Sequence, residues 1–464
     1  MVDFIDEGMI LESLDENNNP QENKINEALN KARKLHGLNT DDVAVLLGID
    51  EDKHLEKLFD TANFIKNEIY GNRLVLFAPL YISNYCGNNC LYCGFRAANS
   101  EVTRITLSEE EIRQETLNLL RQGHKRALML MGEHHKNCSL EYFVDAIKTV
   151  YSVKDEKGSS IRRINVEIAP LEDDEFELLR NAEIGTYTVF QETYHRETYK
   201  KMHPTGKKAD FDWRLQSMDR ALVNDLHDVG IGALFGLYDH KFEVMALLQH
   251  ARHLDVKFGV GPHTISIPRI RPAKNAPASE NLPHAVSDRD FKRLVAILRC
   301  AVPYTGIILS TREPASLRSE LFNLGVSQIS AGSKTSPGGY KQAMLDEFDS
   351  AQFDLNDSRT SGEIIKDVIK QGYVPSFCTG CYRVGRVGAD FMDLAKPGLI
   401  KLHCLPNALT TLREYLNDYA DEETKQLGYE LIQRQLQEIP RVNRRRKTID
   451  YIGRIDQGER DLYF

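Results

Sequence analysis

The chain has 464 residues, of which 41% are hydrophobic, and its formal net charge is −9. This length is enough for one large βα barrel with extensions, or for two or three ordinary domains. The acidic balance argues against a nucleic-acid partner, because general nucleic-acid binders are usually basic. The N-terminus has no basic segment followed by a continuous apolar run, and no window approaches the ~18 apolar residues of a membrane span. We therefore expect a cytoplasmic location without membrane contact.

The apolar pattern divides the chain into three parts. Residues 1–72 are polar with helical spacing and are interpreted as an N-terminal helical extension. From residue 74 onward, short apolar runs alternate with amphipathic segments, which is typical of an α/β chain with a parallel sheet. Eight such strands over about 260 residues predict a complete (βα)8 barrel of the TIM type. The predicted strands are residues 74–82, 126–131, 165–169, 186–191, 231–235, 264–267, 306–310 and 326–331.

We place the barrel at residues 73–340 and a mainly helical C-terminal domain at residues 341–464. Within the barrel, Ser108 to Glu111 has the sequence of a capping box at the start of a helix. The C-terminal part has long charged helical patterns and the basic run from Arg441 to Lys447, whose role stays open. Cys138 and Cys300 fall in presumed helices and are interpreted as packing residues.

Three cysteines, Cys86, Cys90 and Cys93, follow the first predicted strand in a CxxxCxxC run. Three thiolates this close can ligate three irons of a cubane cluster and leave the fourth iron open to a substrate or cofactor. A structural zinc site normally closes with four ligands, and no further pair lies near this triplet. Eight cysteines in the whole chain are too sparse for a disulfide scaffold. The run therefore predicts an open iron–sulfur cluster.

A second set of thiols consists of Cys378 and Cys381 in a CxxC pair, followed after 22 residues by Cys404. A CxxC pair can be redox-active, and together with Cys404 and His403 it can form a Cys₃His zinc site. The third alternative is a second cubane with three protein ligands and one open iron. We favour the second cluster because the chain already carries one cluster motif.

The CxxxCxxC run, with Tyr92 before its last cysteine, resembles the signature of the radical S-adenosylmethionine (SAM) enzymes. The resemblance implies that the amino and carboxylate groups of SAM chelate the open iron, and that reductive cleavage of SAM gives a 5′-deoxyadenosyl radical. It also implies that Gly132 and Glu133, after the second strand, bind the SAM amino group. Glu167, a carboxylate within an apolar strand, is implied to contact the ribose or methionine end of SAM.

Three further segments resemble the tyrosine lyases of FeFe-hydrogenase maturation. They are CTGCYRVGR at residues 378–386, GPHTISIPR at residues 261–269, and QETY at residues 191–194. The resemblance implies that the second cysteine set holds an auxiliary 4Fe-4S cluster and that His263 ligates an additional iron beside it. Because His263 precedes the sixth strand, we expect it at the amino end of the barrel, opposite Cys86.

The same resemblance implies an enzyme that cleaves the Cα–Cβ bond of L-tyrosine to p-cresol and dehydroglycine. Dehydroglycine is then converted to CO and cyanide on the additional iron. Reduced ferredoxin or flavodoxin is implied as the electron donor, other hydrogenase maturation proteins are implied as partners, and an anaerobic host is expected. The tyrosine pocket is not assigned, because Arg312 can pair with the substrate carboxylate, with Glu313 or with a helix carboxylate.

Two other functions stay open. The 2-iminoacetate synthases of thiamine thiazole biosynthesis share the barrel and the cleavage of tyrosine, but they lack the C-terminal cysteine triplet. A non-catalytic iron–sulfur scaffold or carrier would need no radical chemistry. Glu133 and the open iron beside Tyr92 argue against the scaffold.

Overall fold

The computed structural model of the chain describes residues 4–342 and 350–464. Eight parallel strands form a closed barrel, because the first strand pairs with both the second and the eighth. The complete (βα)8 barrel that the sequence predicts is therefore confirmed. The strands are β1 (Arg73–Ser83), β2 (Arg126–Met131), β3 (Arg163–Glu167), β4 (Tyr187–Thr188), β5 (Val229–Gly232), β6 (Thr264–Ser266), β7 (Gly306–Leu309) and β8 (Gln328–Ser330).

Several predicted strand ends are wrong, and the errors concentrate at the carboxyl ends. The fourth strand stops at Thr188 although the apolar run continues to Phe190, and the fifth stops at Gly232 although its run continues to Phe235. Phe190 lines a cavity at the barrel mouth, and Phe235 is buried in the loop that follows β5. Burial in a loop over the barrel mouth thus accounts for apolar residues that the sequence pattern assigns to strands.

Four helices precede the barrel and cover its outer side: Glu7–Glu16, Glu22–Ala32, Thr40–Leu47 and Asp52–Ile69. The last of them packs along the barrel helix Asp288–Ala301, and Thr40–Leu47 packs against His240–Phe258. The apolar faces of these helices join the main hydrophobic core. The extension is therefore held by the same core that holds the barrel.

The remaining helices lie between or beside the barrel strands. Ser108 caps one of them through the predicted capping box with Glu111. Cys138 does not lie in a helix as predicted; it lies in a turn, where its Sγ is 3.2 Å from Ser83 Oγ. These helices are Glu109–Arg121, Leu140–Ser152, Glu175–Asn181, Arg196–Met202, Phe211–Leu215, Ser217–Val223, His240–Phe258, Pro277–Glu280, Asp288–Ala301 and Ala315–Asn323, with a 3₁₀ turn at Lys207–Ala209.

A ninth strand, β9 (Val374–Ser376), was not predicted from the sequence. It pairs in parallel with the first three residues of β1, whereas the upper part of β1 pairs with β2. Because β9 has only three residues and includes Pro375, it lacks a recognisable strand pattern. This strand carries the chain beneath β2, and Cys378 follows it directly.

The C-terminal part is mainly helical, and the basic run at Arg441–Lys447 opens its last helix. Its division from the barrel at residue 340, like the division at residue 72, stays a prediction. Every described helix is too short or too polar to cross a bilayer. The helices after β8 are Gly339–Gln342, Ser361–Lys370, Gly380–Arg383, Gly388–Ala395, Lys401–Asp418, Glu422–Gln437 and Val442–Asp456.

A buried ion pair fixes the segment that leaves the barrel. Arg318, in the helix between β7 and β8, contacts the Asp357 carboxylate and donates to the carbonyl of Ser330 at 2.6 Å. Both charged side chains are 1% exposed. Removing one partner of such a pair leaves an uncompensated buried charge. The pair therefore anchors the chain that carries Gln352 and Phe353 over the barrel mouth.

Replacing Asp357 with Asn is expected to lower the free energy of unfolding by about 3 to 5 kcal/mol, because Arg318 loses its charged partner. The midpoint and slope of urea unfolding measure this change. Asp450→Asn, in a solvent-exposed pair with Arg454, serves as the control and is expected to cost less than about 1 kcal/mol. Equal losses in the two variants would contradict the anchoring role.

Candidate functional site

A cavity of about 220 Å³ opens at the carboxyl ends of the barrel strands, and we call it the upper cavity. All three cysteines of the CxxxCxxC run line it, together with Glu133 and Glu167. The carboxyl ends of barrel strands are where (βα)8 enzymes build their active sites. The structure thus brings together the residues that the sequence assigns to the first cluster and to SAM.

The cysteine loop after β1 is held by backbone contacts with the loop after β2. Gly87 donates to the carbonyl of Glu133 at 2.7 Å, and the Asn88 side chain donates to the Glu133 carboxylate at 2.6 Å. A Cβ at Gly132 would lie 2.1 Å from the carbonyl oxygen of Tyr85. Gly132 is therefore required for the close approach of the two loops, in addition to lining the cavity.

Tyr92, the aromatic residue of the run, is buried beneath the loop after β4. Its hydroxyl lies 2.7 Å from His203 Nε2, and the backbone N–H of the adjacent Leu91 donates to the carbonyl of Met202. These contacts connect the cysteine loop with the segment between β4 and β5. Lys208, in the same segment, lines the upper cavity.

Three carboxylates and three cations face the upper cavity. Burial, reinforced by repulsion from Glu192, raises the pKa of Glu167 to about 7. Burial acts in the same direction on Glu192, but Lys208 at 2.6 Å and Arg214 at 3.7 Å hold its pKa below the ordinary value. The cavity thus pairs a protonatable carboxyl group with a carboxylate that stays ionised.

Glu192, Lys208 and Arg214 were not identified as site residues from the sequence. Glu192 has a φ of 71°, a left-handed conformation that non-glycine residues seldom adopt. Such strain is typical of functional loops. A signal existed in the sequence, since Glu192 directly follows the fourth strand, but the partners that converge on it are 16 and 22 residues further along the chain.

Arg312, which follows β7, lines the upper cavity without a carboxylate partner among the described residues. Its guanidinium lies 3.4 Å from the centre of the Phe353 ring. Glu313 instead pairs with Arg269. The sequence left a structural Arg312–Glu313 pair open, and the structure excludes it. A buried guanidinium that lacks an anion is suited to a carboxylate ligand.

A second, smaller cavity of about 50 Å³ lies at the amino ends of the strands, and we call it the lower cavity. Cys378, Cys381 and Cys404 line it together with His263. The second cysteine set and the histidine therefore meet at the barrel end opposite Cys86, as expected from the position of His263 before β6.

His263 is buried between Asp228 and aromatic rings. Its Nδ1 lies 3.5 Å from the Asp228 carboxylate, and its Nε2 lies 3.4 Å from the Tyr382 hydroxyl. Burial lowers the pKa of His263, so the imidazole is neutral at physiological pH. A neutral imidazole with a carboxylate behind one nitrogen is the form that binds metals.

Two guanidinium groups line the lower cavity without an ion pair among the described residues. Arg73 opens β1, and its Nε is buried without a hydrogen-bond partner. Arg126 opens β2, and it donates only to the carbonyl of Cys378, at 3.3 Å. Buried cations need anionic partners. The lower cavity thus has two guanidinium groups beside the second cysteine set, and no pattern in the sequence indicated these two residues.

The thiols fit iron–sulfur clusters better than single metal ions. All eight cysteines are unpaired. No group of three or more metal-binding side chains in the described ranges is compact enough for one ion, whereas a cubane spreads its ligands over different irons. His403 lies 3.1 Å from Arg386 and does not line the lower cavity, which argues against the Cys₃His zinc site.

Burial also affects the protonation of these thiols. It raises the pKa of Cys90 and of Cys381 to about 12, so neither sulfur is ionised at neutral pH without a cationic partner. A bound iron supplies that charge and displaces the thiol proton. The ligand roles of the six cysteines and of His263 stay predictions.

Two family models match the chain. The Radical SAM superfamily model matches residues 80–250, and the Biotin and Thiamin Synthesis associated domain model matches residues 266–374. Together they cover most of the barrel and end at the first residue of β9. Residues of both matches line the upper cavity, whereas Cys378, Cys381 and Cys404 lie beyond both.

Similar proteins agree with this assignment. The 2-iminoacetate synthase of Escherichia coli K12 is 31% identical over 74% of this chain and 88% of its own length. A crystal structure of HydG, a maturase of the FeFe-hydrogenase, is 49% identical, covers both chains completely and has a TM-score of 0.96. HydG from Carboxydothermus hydrogenoformans is 40% identical over 96% of this chain and 97% of its own, with a TM-score of 0.83. The chain belongs to the radical SAM enzymes and, within them, to the HydG type.

Proposed function

We propose that the chain is a radical SAM lyase that cleaves the Cα–Cβ bond of L-tyrosine to p-cresol and dehydroglycine. Dehydroglycine is then converted to CO, cyanide and water at an auxiliary iron–sulfur centre with an additional iron, which yields an Fe(CO)(CN) unit for the FeFe-hydrogenase cofactor. The observation that carries the proposal is the pair of cysteine-lined cavities at opposite ends of one barrel. Similarity to HydG over the full chain supports it.

The upper cavity supplies the binding groups for SAM and tyrosine. When bound, the open cluster and SAM supply a 5′-deoxyadenosyl radical that abstracts a hydrogen atom. Cys86, Cys90 and Cys93 would hold the cluster, and the Glu133 carboxylate would receive the SAM amino group. Gly132, Tyr92 and Glu167 are proposed to shape and contact the rest of the SAM site. The carboxyl ends of the strands thereby carry the cofactor.

Arg312 is proposed to bind the tyrosine carboxylate. It is the guanidinium of the upper cavity that has no carboxylate partner in the described part of the chain, whereas Arg214 lies near Glu192. Stacking on Phe353 fixes the plane of its fork, which suits bidentate binding of a carboxylate. The loops over the barrel mouth are proposed to limit the access of water to the imine product.

The lower cavity is proposed to receive the small fragment. Cys378, Cys381 and Cys404 would hold the auxiliary cluster, and His263 would ligate the additional iron. Dehydroglycine carries a carboxylate, and the positive charge of Arg73 and Arg126 favours its entry. Reduced ferredoxin or flavodoxin is proposed as the electron donor, and other maturation proteins as recipients of the product.

Anaerobic turnover of the cluster-loaded enzyme with SAM, dithionite and tyrosine tests this function. We expect p-cresol, 5′-deoxyadenosine and infrared bands of Fe–CO. Formation of p-cresol without CO would instead identify a 2-iminoacetate synthase. Absence of 5′-deoxyadenosine would favour an iron–sulfur scaffold.

The double variant Cys378→Ser/Cys381→Ser is expected to retain p-cresol formation and to lose CO, because only the lower site loses its ligands. Its iron content is expected to fall by about half, since one of two cubanes is removed. Cys300→Ala, in the core away from both cavities, is the control and keeps both products. Loss of p-cresol together with CO would show that the two sites are not separable.

Arg312→Gln is expected to raise the KM for tyrosine about 10- to 100-fold, because a charged hydrogen bond contributes about 1.5 to 3 kcal/mol. Titration calorimetry is expected to show unchanged SAM affinity. Arg271→Gln is the matched control, since Arg271 bonds Asn356 on the same barrel end and does not line the cavity. A KM for tyrosine that is the same in both variants would refute the assignment.

A further inference from the structure

The two cavities share one wall residue. Gln328, the first residue of β8, lines both the upper and the lower cavity, and no other residue in the described ranges does so. Its neighbours on the flanking strands are Val75 of β1 and Ile308 of β7. Val75 lines the lower cavity, and Ile308 lines the upper one. Gln328 therefore lies at the boundary between the two cavities.

The barrel interior at this level differs from the usual packing. Barrels of this type normally fill their centre with Val, Ile and Leu. Here Gly230 and Gly306 lie opposite polar side chains: a Cβ at Gly306 would be 2.4 Å from Gln328 Nε2, and a Cβ at Gly230 would be 2.5 Å from Thr264 Oγ1. Gly306 thus provides the room that the Gln328 amide occupies.

No hydrogen bond of the Gln328 amide is found among the described residues, and its nitrogen and oxygen are not fully buried, because the residue lines both cavities and is 7% exposed. The amide is therefore free to bind a molecule in the cavities. It carries two N–H donors and one carbonyl acceptor. Those groups match dehydroglycine, whose carboxylate accepts hydrogen bonds and whose imine N–H donates one. They offer much less to the apolar ring of p-cresol.

We propose that Gln328 is the specificity residue of the passage between the cavities: its amide admits the imino acid and retains p-cresol. This inference rests on the proposed function. A carboxylate that passes between the cavities loses part of its hydration, and the amide replaces some of the lost hydrogen bonds. Below Gln328, Arg73 and Arg126 bind the same carboxylate. The amide also occupies the cross-section that an aromatic ring would need.

Gln328→Met, which keeps the volume and removes the amide, tests the proposal in the cluster-loaded enzyme. Dehydroglycine that fails to cross is hydrolysed by water to glyoxylate and ammonia. We expect an unchanged rate of p-cresol formation and a ratio of glyoxylate to CO that rises about tenfold or more, as the loss of one charged hydrogen bond predicts. Gln328→Asn, which restores an amide, is expected to recover part of the transfer.

Two further variants distinguish a loss of dehydroglycine transfer from a loss of folding. Gly306→Ala leaves the Gln328 side chain intact but displaces its amide, so it is expected to raise the same ratio. Thr264→Val is the matched control: Thr264 pairs with Gly306 on the adjacent strand, has an unpartnered buried hydroxyl and lines neither cavity. It is expected to leave the ratio unchanged.

The exclusion of p-cresol by its size can be measured without turnover. In Gln328→Ala, added p-cresol is expected to alter the electron paramagnetic resonance spectrum of the auxiliary cluster, and in the wild type it is not.

The inference is overturned if Gln328→Met forms p-cresol and CO in the wild-type ratio, or if it loses both products equally. In the first case the proposed lyase function still stands. Wild-type enzyme that forms no p-cresol would instead overturn that function.

Discussion

Strand β1 sets the distance between the two candidate metal sites. Its eleven residues pair with β2 and β8 in the barrel and with β9 below β2. At about 3.3 Å per residue, its ends lie roughly 30 Å apart along the strand. Cys86 follows the upper end, and Arg73 at the lower end faces the second cysteine set. The sites are therefore joined by the barrel interior and are too far apart for direct contact.

The charges of the two cavities differ in a way that suits transfer in one direction. In the upper cavity, Glu192 is paired with Lys208 and approached by Arg214, and Arg312 alone lacks an anion in the described part of the chain. In the lower cavity, Arg73 and Arg126 have no carboxylate partners among the described residues. A small carboxylate thus meets balanced charges above and two guanidinium groups beside the second cysteine set below. Gln328 lines both cavities at the level between them, and its amide is proposed to favour a small anion over a phenol.

Much of this arrangement could be predicted from the sequence, because it depends on local patterns. The eight strands follow from alternating apolar runs, and the positions of Cys86 and His263 follow from the direction of parallel strands. Arg73, Arg126 and Gln328 could not be predicted as site residues. Each is the first residue of a strand, where a polar side chain normally faces solvent, and only closure of the barrel turns it inward.

The lower site depends on a feature that a sequence pattern cannot show. Strand β9 has three residues and a proline, and it forms only because the lower end of β1 offers unpaired backbone groups beside β2. Without β9, the position of the second cysteine set relative to the barrel cannot be inferred. Its thiols could be recognised from their spacing, whereas their position beneath β2 required the long-range pairing of residues about 300 apart.

Anomalous diffraction at the iron and zinc absorption edges, from crystals of the anaerobically reconstituted protein, tests the central claim most directly. Two iron peaks are expected, one beside Cys86, Cys90 and Cys93 and the other beside Cys378, Cys381 and Cys404, at opposite ends of the barrel. Zinc at the second cysteine set, or iron at the upper cavity alone, would contradict the account.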